Sequence, residues 1–152
     1  MTIRMRRATR GDVAAIVALL ADDARSGEAE EVSDPPAAAY LDAFARLDAE
    51  PRSLLIVAEA EDGSVVGTLQ LTFIPGLSNR GGELALLSAV RIAASQRGRG
   101  LGGQMVGWAI DEARRRGCGI IELLSHASRT DAQRFYERLG FARSHVGMRL
   151  RL

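Results

Sequence analysis

The chain has 152 residues, 47% of them hydrophobic and 26% charged, which suits a single domain over residues 1–152 with a real core and leaves no room for a second. Twenty basic residues against nineteen acidic ones leave a formal charge of +1, so neither a general nucleic-acid binder nor an acidic disordered segment is expected. Every basic residue is Arg, which excludes a Lys nucleophile or Schiff base, and the single cysteine, Cys118, excludes a disulfide framework and a Cys-based zinc site.

Ile3 and Met5 alternate with Arg4 and Arg6, which predicts a first strand ending near Ala8. Thr9-Arg10-Gly11-Asp12 is a helix-start capping pattern, and Val13, Ile16, Val17 and Leu20 share one face of a helix expected to reach about Ala24. The apolar run Val13–Ala21 is far short of the about 20 residues that span a bilayer. Arginines before it imitate a secretory leader, but aspartates bracket the run and no Ala-x-Ala site follows. A cytoplasmic protein with no membrane partner is expected. Ser26–Asp34 is acidic and non-periodic and reads as a mobile loop. Pro35 or Pro36 opens a second helix, in which Tyr40, Leu41, Phe44 and Leu47 fall at helical spacing; Pro51 ends it.

Ser53–Ala60 and Val65–Ile74 are strand-like on either side of Glu61-Asp62-Gly63-Ser64, a hairpin with Asp-Gly at its tip. Pro75–Gly82 is a loop, and a further strand is expected at Leu86–Ile92. After the run Ser95–Gly103 comes a helix to about Arg116, with Leu101, Met105, Trp108, Ala109 and Ala113 along its inner stripe and Gly117 as its stop. Ile120–Ser125 reads as a short buried strand. Ser128-Arg129-Thr130-Asp131 predicts a capping box for a helix ending at Leu139-Gly140, and Phe141–His145 with Met148–Leu152 is a candidate final strand pair. Hairpin and crossover connections together imply a mixed α/β sheet.

Strand, glycine-rich turn, helix is an arrangement that binds phosphate, because glycines let backbone N–H groups converge at a helix N-terminus that carries about half a positive charge. Here the turn offers Gly98, Gly100, Gly102 and Gly103, with Arg97 and Arg99 as cations suited to bidentate contact with a diphosphate. Gly98 to Gly103 also satisfies G-x-G-x-x-G. The dinucleotide version, however, belongs to the first strand–helix turn with an acid ending the next strand, and Glu122 lies inside its strand. A Walker loop is excluded for want of a Lys.

Two motifs together resemble the GNAT family of N-acetyltransferases. The first is Val90-Arg91-Ile92 followed by Arg97-Gly98-Arg99-Gly100-Leu101-Gly102, similar to the family's acyl-CoA pattern [RQ]-x-x-G-x-[GA]; the second is Ala132-Gln133-Arg134-Phe135-Tyr136-Glu137-Arg138-Leu139-Gly140-Phe141. The resemblance covers essentially the whole chain. It implies a GNAT fold: a mixed central sheet, with strands 4 and 5 splayed, flanked by helices. It implies acetyl-CoA as co-substrate and no metal. Backbone groups of Val90 and Ile92, with Arg91 between them, would pair with the pantetheine arm like an added strand, and Arg97–Gly103 would hold the diphosphate. Arg129 and Phe135 are further cofactor-contact candidates, Arg129 standing where the family often has Asn. Tyr136 is the implied acid to the CoA thiolate.

Many related small bacterial members have Glu where this chain has Ser88. The base is therefore unassigned, with Glu83 or a water held by Ser88 as the alternatives. His126, at a strand end, is a further candidate base, although a satisfied polar side chain is the commoner state of such a residue. His145 is expected to be structural or superficial, and Cys118 an inert thiol. The activity implied is direct transfer of acetyl to an amine of a small molecule or peptide, without nucleic acid, and with a homodimer as the assembly to test for. A non-catalytic acyl-CoA-binding sensor or partner module is the competing reading. A nucleic-acid-associated regulator is a third, on the strength of Arg114-Arg115-Arg116 alone.

Overall fold

The computed structural model describes residues 2–22 and 29–152. Five strands form one sheet in the order β1-β2-β3-β4-β5: β1 Arg4–Arg7, β2 Ser53–Glu59, β3 Val65–Ile74, β4 Leu84–Ile92 and β5 Ile120–Leu123. The first four are antiparallel neighbours, and β5 lies parallel to β4. Helices α1 (Val13–Ala21) and α2 (Ala38–Ala49) cover one face; α3 (Leu101–Arg115) and α4 (Thr130–Arg138) cover the other.

The alternation of strand side chains builds two cores. Ile56, Leu69, Leu71, Phe73, Ala85 and Leu87 point to α3 and bury its stripe of Leu101, Met105, Val106, Ala109 and Ala113. Val57 points the other way, onto Val13, Ile16, Val17 and Phe44. Gly67 is required by this packing, since a Cβ there would lie 2.6 Å from the Met105 sulfur. The capping pattern at Thr9 is used as expected. The Thr9 N–H donates to Asp12 Oδ2 at 2.7 Å, one 3₁₀ turn (Arg10–Asp12) follows, and α1 starts at Val13. Asp12 has a second role. Its two oxygens accept from Arg6 Nη1 at 2.7 Å and Nη2 at 3.0 Å, and Arg6 Nε donates to Glu59 Oε2 at 2.6 Å, so one guanidinium ties β1, β2 and the start of α1 together.

Several expected boundaries move. The strand expected from Leu86 begins at Leu84, and α1 ends at Ala21; Ser26–Glu28, the first part of the expected acidic loop, lies outside the described residues. Tyr40 on α2 holds a later part of that loop: its Oη donates to Glu30 Oε2 at 2.5 Å and accepts from the Glu31 N–H at 2.9 Å. No capping box forms at Ser128, because its N–H and hydroxyl both face His126 Nδ1; Arg129 takes the N-cap position instead. The expected final strand pair is also not formed. Phe141 folds back onto Tyr136, but residues 142–152 make no ladder, and Val146, Met148 and Leu150 are 88%, 92% and 83% exposed. A two-stranded ribbon with nothing to pack on is marginal in water.

The Arg6 contacts hold the carboxyls of Asp12 and Glu59 below the usual carboxylate range. Such a contribution is complete above the unfolded value of about 4 and is lost as pH falls through the lower folded value. Asp12→Asn is expected to cost about 2 kcal/mol near neutral pH and to flatten the decline in stability on acidification. Urea unfolding of both proteins across the acid range measures the two effects.

Candidate active site

The sheet opens at one place, and a backbone irregularity causes it. The β4–β5 ladder runs from Leu84↔Ile120 to Leu87↔Leu123 and stops. In the next two residues of β4, Ala89 adopts φ +51° and the register with β3 shifts between Thr68↔Arg91 and Gln70↔Ser88. Ala89 and Val90 thus oppose Leu69 alone, which is a β-bulge, and a bulge bends and twists the strand that carries it. Beyond it β4 stays paired with β3 as far as Ile92 while β5 has left it. The Ala93 N–H donates to Val66 O at 2.9 Å, so strand alternation turns the main-chain groups of Val90 and Ile92 to the open side. Arg91 folds along this edge, its Nη1 donating to Val90 O at 2.9 Å. Just past the end of β5, the Ser125 hydroxyl is buried without a hydrogen-bond partner. A buried orphan hydroxyl carries a penalty unless something else satisfies it.

The glycine turn closes one end of this opening. A 3₁₀ turn, Ala94–Gln96, leads to Gly98 at φ +74° and Gly100 at φ +83°, the N-cap of α3. No side chain caps this end and no acidic residue stands in its first turn, so the helix presents its first N–H groups and its positive pole outward. Gly102 packs tightly: a Cβ would lie 3.1 Å from Ile92 Cδ1 and 3.2 Å from Phe135 Cζ, while Gly103 faces open space. Gly102 therefore lets β4, α3 and α4 meet, and Leu101 is buried beneath. Arg97 is held ready by Asp22 at the end of α1, Nη2 to Oδ2 at 2.5 Å, and Arg99 is exposed beside it. Such a cradle can hold a diphosphate, and the strand edge next to it can pair with an extended amide-bearing arm.

Tyr136 stands on α4 between two rings, at 5.1 Å from Phe135 and 5.7 Å from Phe141, both edge-on. Burial pushes its phenol above the ordinary value, against a weaker downward pull from Arg129 and Arg91. The side chain is thus a neutral O–H at physiological pH, able to give a proton. Arg129 begins the same helix.

On the opposite face of β4, Ser88 pairs across to Gln70, whose Nε2 donates to Thr72 Oγ1 at 3.3 Å. These two polar neighbours carry a signal in the sequence, since Thr68, Gln70 and Thr72 recur at period two in an otherwise apolar strand. Glu83 is not brought to the opening. It precedes β4 at the other end, where Arg116 grips it at 3.1 and 3.3 Å, and Arg116 also covers the Phe73 ring at 4.1 Å. His126 Nδ1 accepts from the Ser128 N–H at 3.1 Å, and His145 Nδ1 faces the Ser144 hydroxyl. Burial raises the Cys118 thiol, which keeps it protonated and inert. Among the described residues no group of three or more His, Cys, Asp or Glu could hold a metal ion.

Comparison with known proteins agrees with this architecture. The family model for the acetyltransferase (GNAT) family matches residues 14–141. Over 109 residues the chain is 35% identical to the aminoalkylphosphonate N-acetyltransferase of Salmonella typhimurium, covering 70% of this chain and 68% of that protein. Among solved structures, a transcriptional regulator from Bacillus halodurans C-125 superposes with a TM-score of 0.94 at 39% identity, over 99% of this chain and 100% of that one. An acetyltransferase of Trypanosoma brucei does so with a TM-score of 0.81 at 25% identity, over 99% and 100%. An opened strand edge, a glycine cradle and a match over most of the chain place it in the acetyltransferase (GNAT) family, as an acyl-CoA-dependent N-acetyltransferase.

Proposed function

We propose that this protein transfers acetyl from acetyl-CoA directly to the amine of a small molecule, with Tyr136 as the acid. The observation that carries this reading is the opened edge at Val90–Ile92 next to the uncapped glycine turn of α3, where Gly102 lies between Ile92 and Phe135, the residue before Tyr136. When bound, the coenzyme supplies an activated thioester, whose carbonyl carbon the acceptor nitrogen attacks while the C–S bond breaks. The chain's residues do the rest. The N–H groups at the start of α3, with Arg97 and Arg99, hold the diphosphate. Val90 and Ile92 align the arm, which takes the carbonyl of Val90 from Arg91. Ser125 gives its unsatisfied hydroxyl a partner there. Tyr136 delivers its O–H proton to the departing thiolate, and the proton lost by the amine passes to water held near Ser88, Gln70 and Thr72.

A Ser in place of a carboxylate at position 88 suits an acceptor that reaches the site as a free amine and loses a proton only after attack. The relative that acts on aminoalkylphosphonates makes a small amine the first acceptor class to assay. A nucleic-acid role has less support, despite the name of the Bacillus relative. The Arg114–Arg116 run is already engaged: Arg114 with Asp111 at 3.6 Å, Arg115 with Glu112, and Arg116 with Glu83.

Tyr136→Phe is expected to lower kcat by about a hundredfold while leaving the acetyl-CoA Kd within about twofold. Steady-state assays with a panel of small amines, together with calorimetry, separate the two; unchanged kcat removes Tyr136 from the mechanism, and the absence of turnover with every amine favours a binding module. Because the phenol is pushed up, the acidic form persists through neutral pH, and activity should fall only as pH rises past the ordinary tyrosine value of about 10. Arg97→Ala should weaken acetyl-CoA binding about tenfold with little change in kcat, since it removes one charge-assisted contact to phosphate.

A further inference from the structure

α3 lies chiefly along β4 and β5. Between its second half and strands β1, β2 and β3 there is a cavity of about 580 Å³. Small-ligand sites commonly measure about 300–1,000 Å³. Met5, Ile56 and Phe73 come from three neighbouring strands and Trp108 from α3, and together they give the cavity an apolar floor. None of the residues assigned to acetyl transfer lines it, and the glycine turn stands at the other end of α3, a helix about 22 Å long.

Arginines surround this floor, and all but one have their charge answered. Arg6 is held by Asp12 and Glu59, Arg115 by Glu112, and Arg116 by Glu83 while it covers the Phe73 ring at 4.1 Å. Arg7 stands opposite Ile56 in the β1–β2 ladder, so strand alternation puts it with Met5 on the cavity's side of the sheet. Its guanidinium is exposed and has no ion-pair partner among the described residues. Glu112 is the one carboxylate in the lining, and Arg115 already matches it.

We propose that this cavity is a second binding site, separate from the coenzyme's, for a small organic acid with an apolar body, whose carboxylate pairs with Arg7. The body lies on Met5, Ile56 and Trp108, and the carboxylate accepts two N–H groups of the one unmatched guanidinium. The surrounding charges select this class. A cation would meet several guanidiniums, a neutral apolar molecule would leave Arg7 unanswered, and a polyanion would bring surplus charge against Glu112.

Trp108 is the only tryptophan of the chain, so its emission reports on the cavity itself. Decanoate, added below its micelle concentration to protein saturated with acetyl-CoA, is expected to shift that emission to the blue in a saturable way as its alkyl body displaces water from the indole. Decanol, which has the same chain without the charge, should bind about tenfold more weakly. Arg7→Ala should weaken decanoate about tenfold and leave kcat and the acetyl-CoA Kd unchanged. Urea unfolding checks that this variant folds, and the comparison of decanoate with decanol on the unaltered chain decides independently of it. No saturable shift with decanoate, equal affinity for decanol, loss of the signal as acetyl-CoA is raised (a ligand in the coenzyme's own site), or unchanged decanoate affinity in folded Arg7→Ala would each overturn the proposal.

Discussion

A left-handed alanine in β4 parts the sheet, and the site depends on it. With Ala89 at φ +51°, two residues of β4 oppose Leu69, and the strand twists away just where its ladder with β5 ends at Leu87↔Leu123. A non-glycine residue in this region costs about 1–2 kcal/mol. The β3 ladder, intact on both sides from Leu84 to Ile92, holds it there. Without the bulge, β4 and β5 would continue to zip, and the main-chain groups of Val90 and Ile92 would be consumed inside the sheet. Strain held by neighbouring pairs thus leaves an open strand edge beyond the β4–β5 ladder, where an extended arm can pair.

The charges around this opening are arranged by partners outside it. Asp22 steadies Arg97 from the end of α1, and Arg91 rests on the carbonyl of Val90. Arg116 takes Glu83 to the far end of β4 and lies across Phe73, so this carboxylate belongs to another part of the structure. What stands beside the opening is mostly donors: the uncapped N–H groups at the start of α3 and the guanidiniums of Arg91, Arg97 and Arg99. Donors suit a reaction whose co-substrate is rich in phosphate and whose leaving group is a thiolate. The same arginine chemistry serves stability at Arg6, where one planar group satisfies two carboxylates from separate elements.

Much of this was legible in the residues. The Thr9–Asp12 capping pattern, the Asp-Gly hairpin and the Gly117 and Gly140 stops act over a few residues, and each formed where expected. The glycine turn and the Phe135-Tyr136 helix end carried the resemblance to the family, and in the fold a Cβ on Gly102 would lie 3.2 Å from Phe135 Cζ. Ser128 looked like a cap but was claimed by His126, a competition between two neighbours of similar strength. Phe141–His145 and Met148–Leu152 have the pattern of a strand pair, but they form no ladder.

The linear order of side chains by itself determined the helices, the hairpin and the glycine turn, since these rest on periodicity and on contacts a few positions apart, and its two motifs carried the resemblance to the family. Only the tertiary structure decided where β4 and β5 part, that Glu83 pairs with Arg116 rather than lining the site, that Ser125 keeps an unmet hydroxyl, and that residues 142–152 join no ladder. Each of these is set by partners brought from distant parts of the chain, and no local pattern records which distant partner wins.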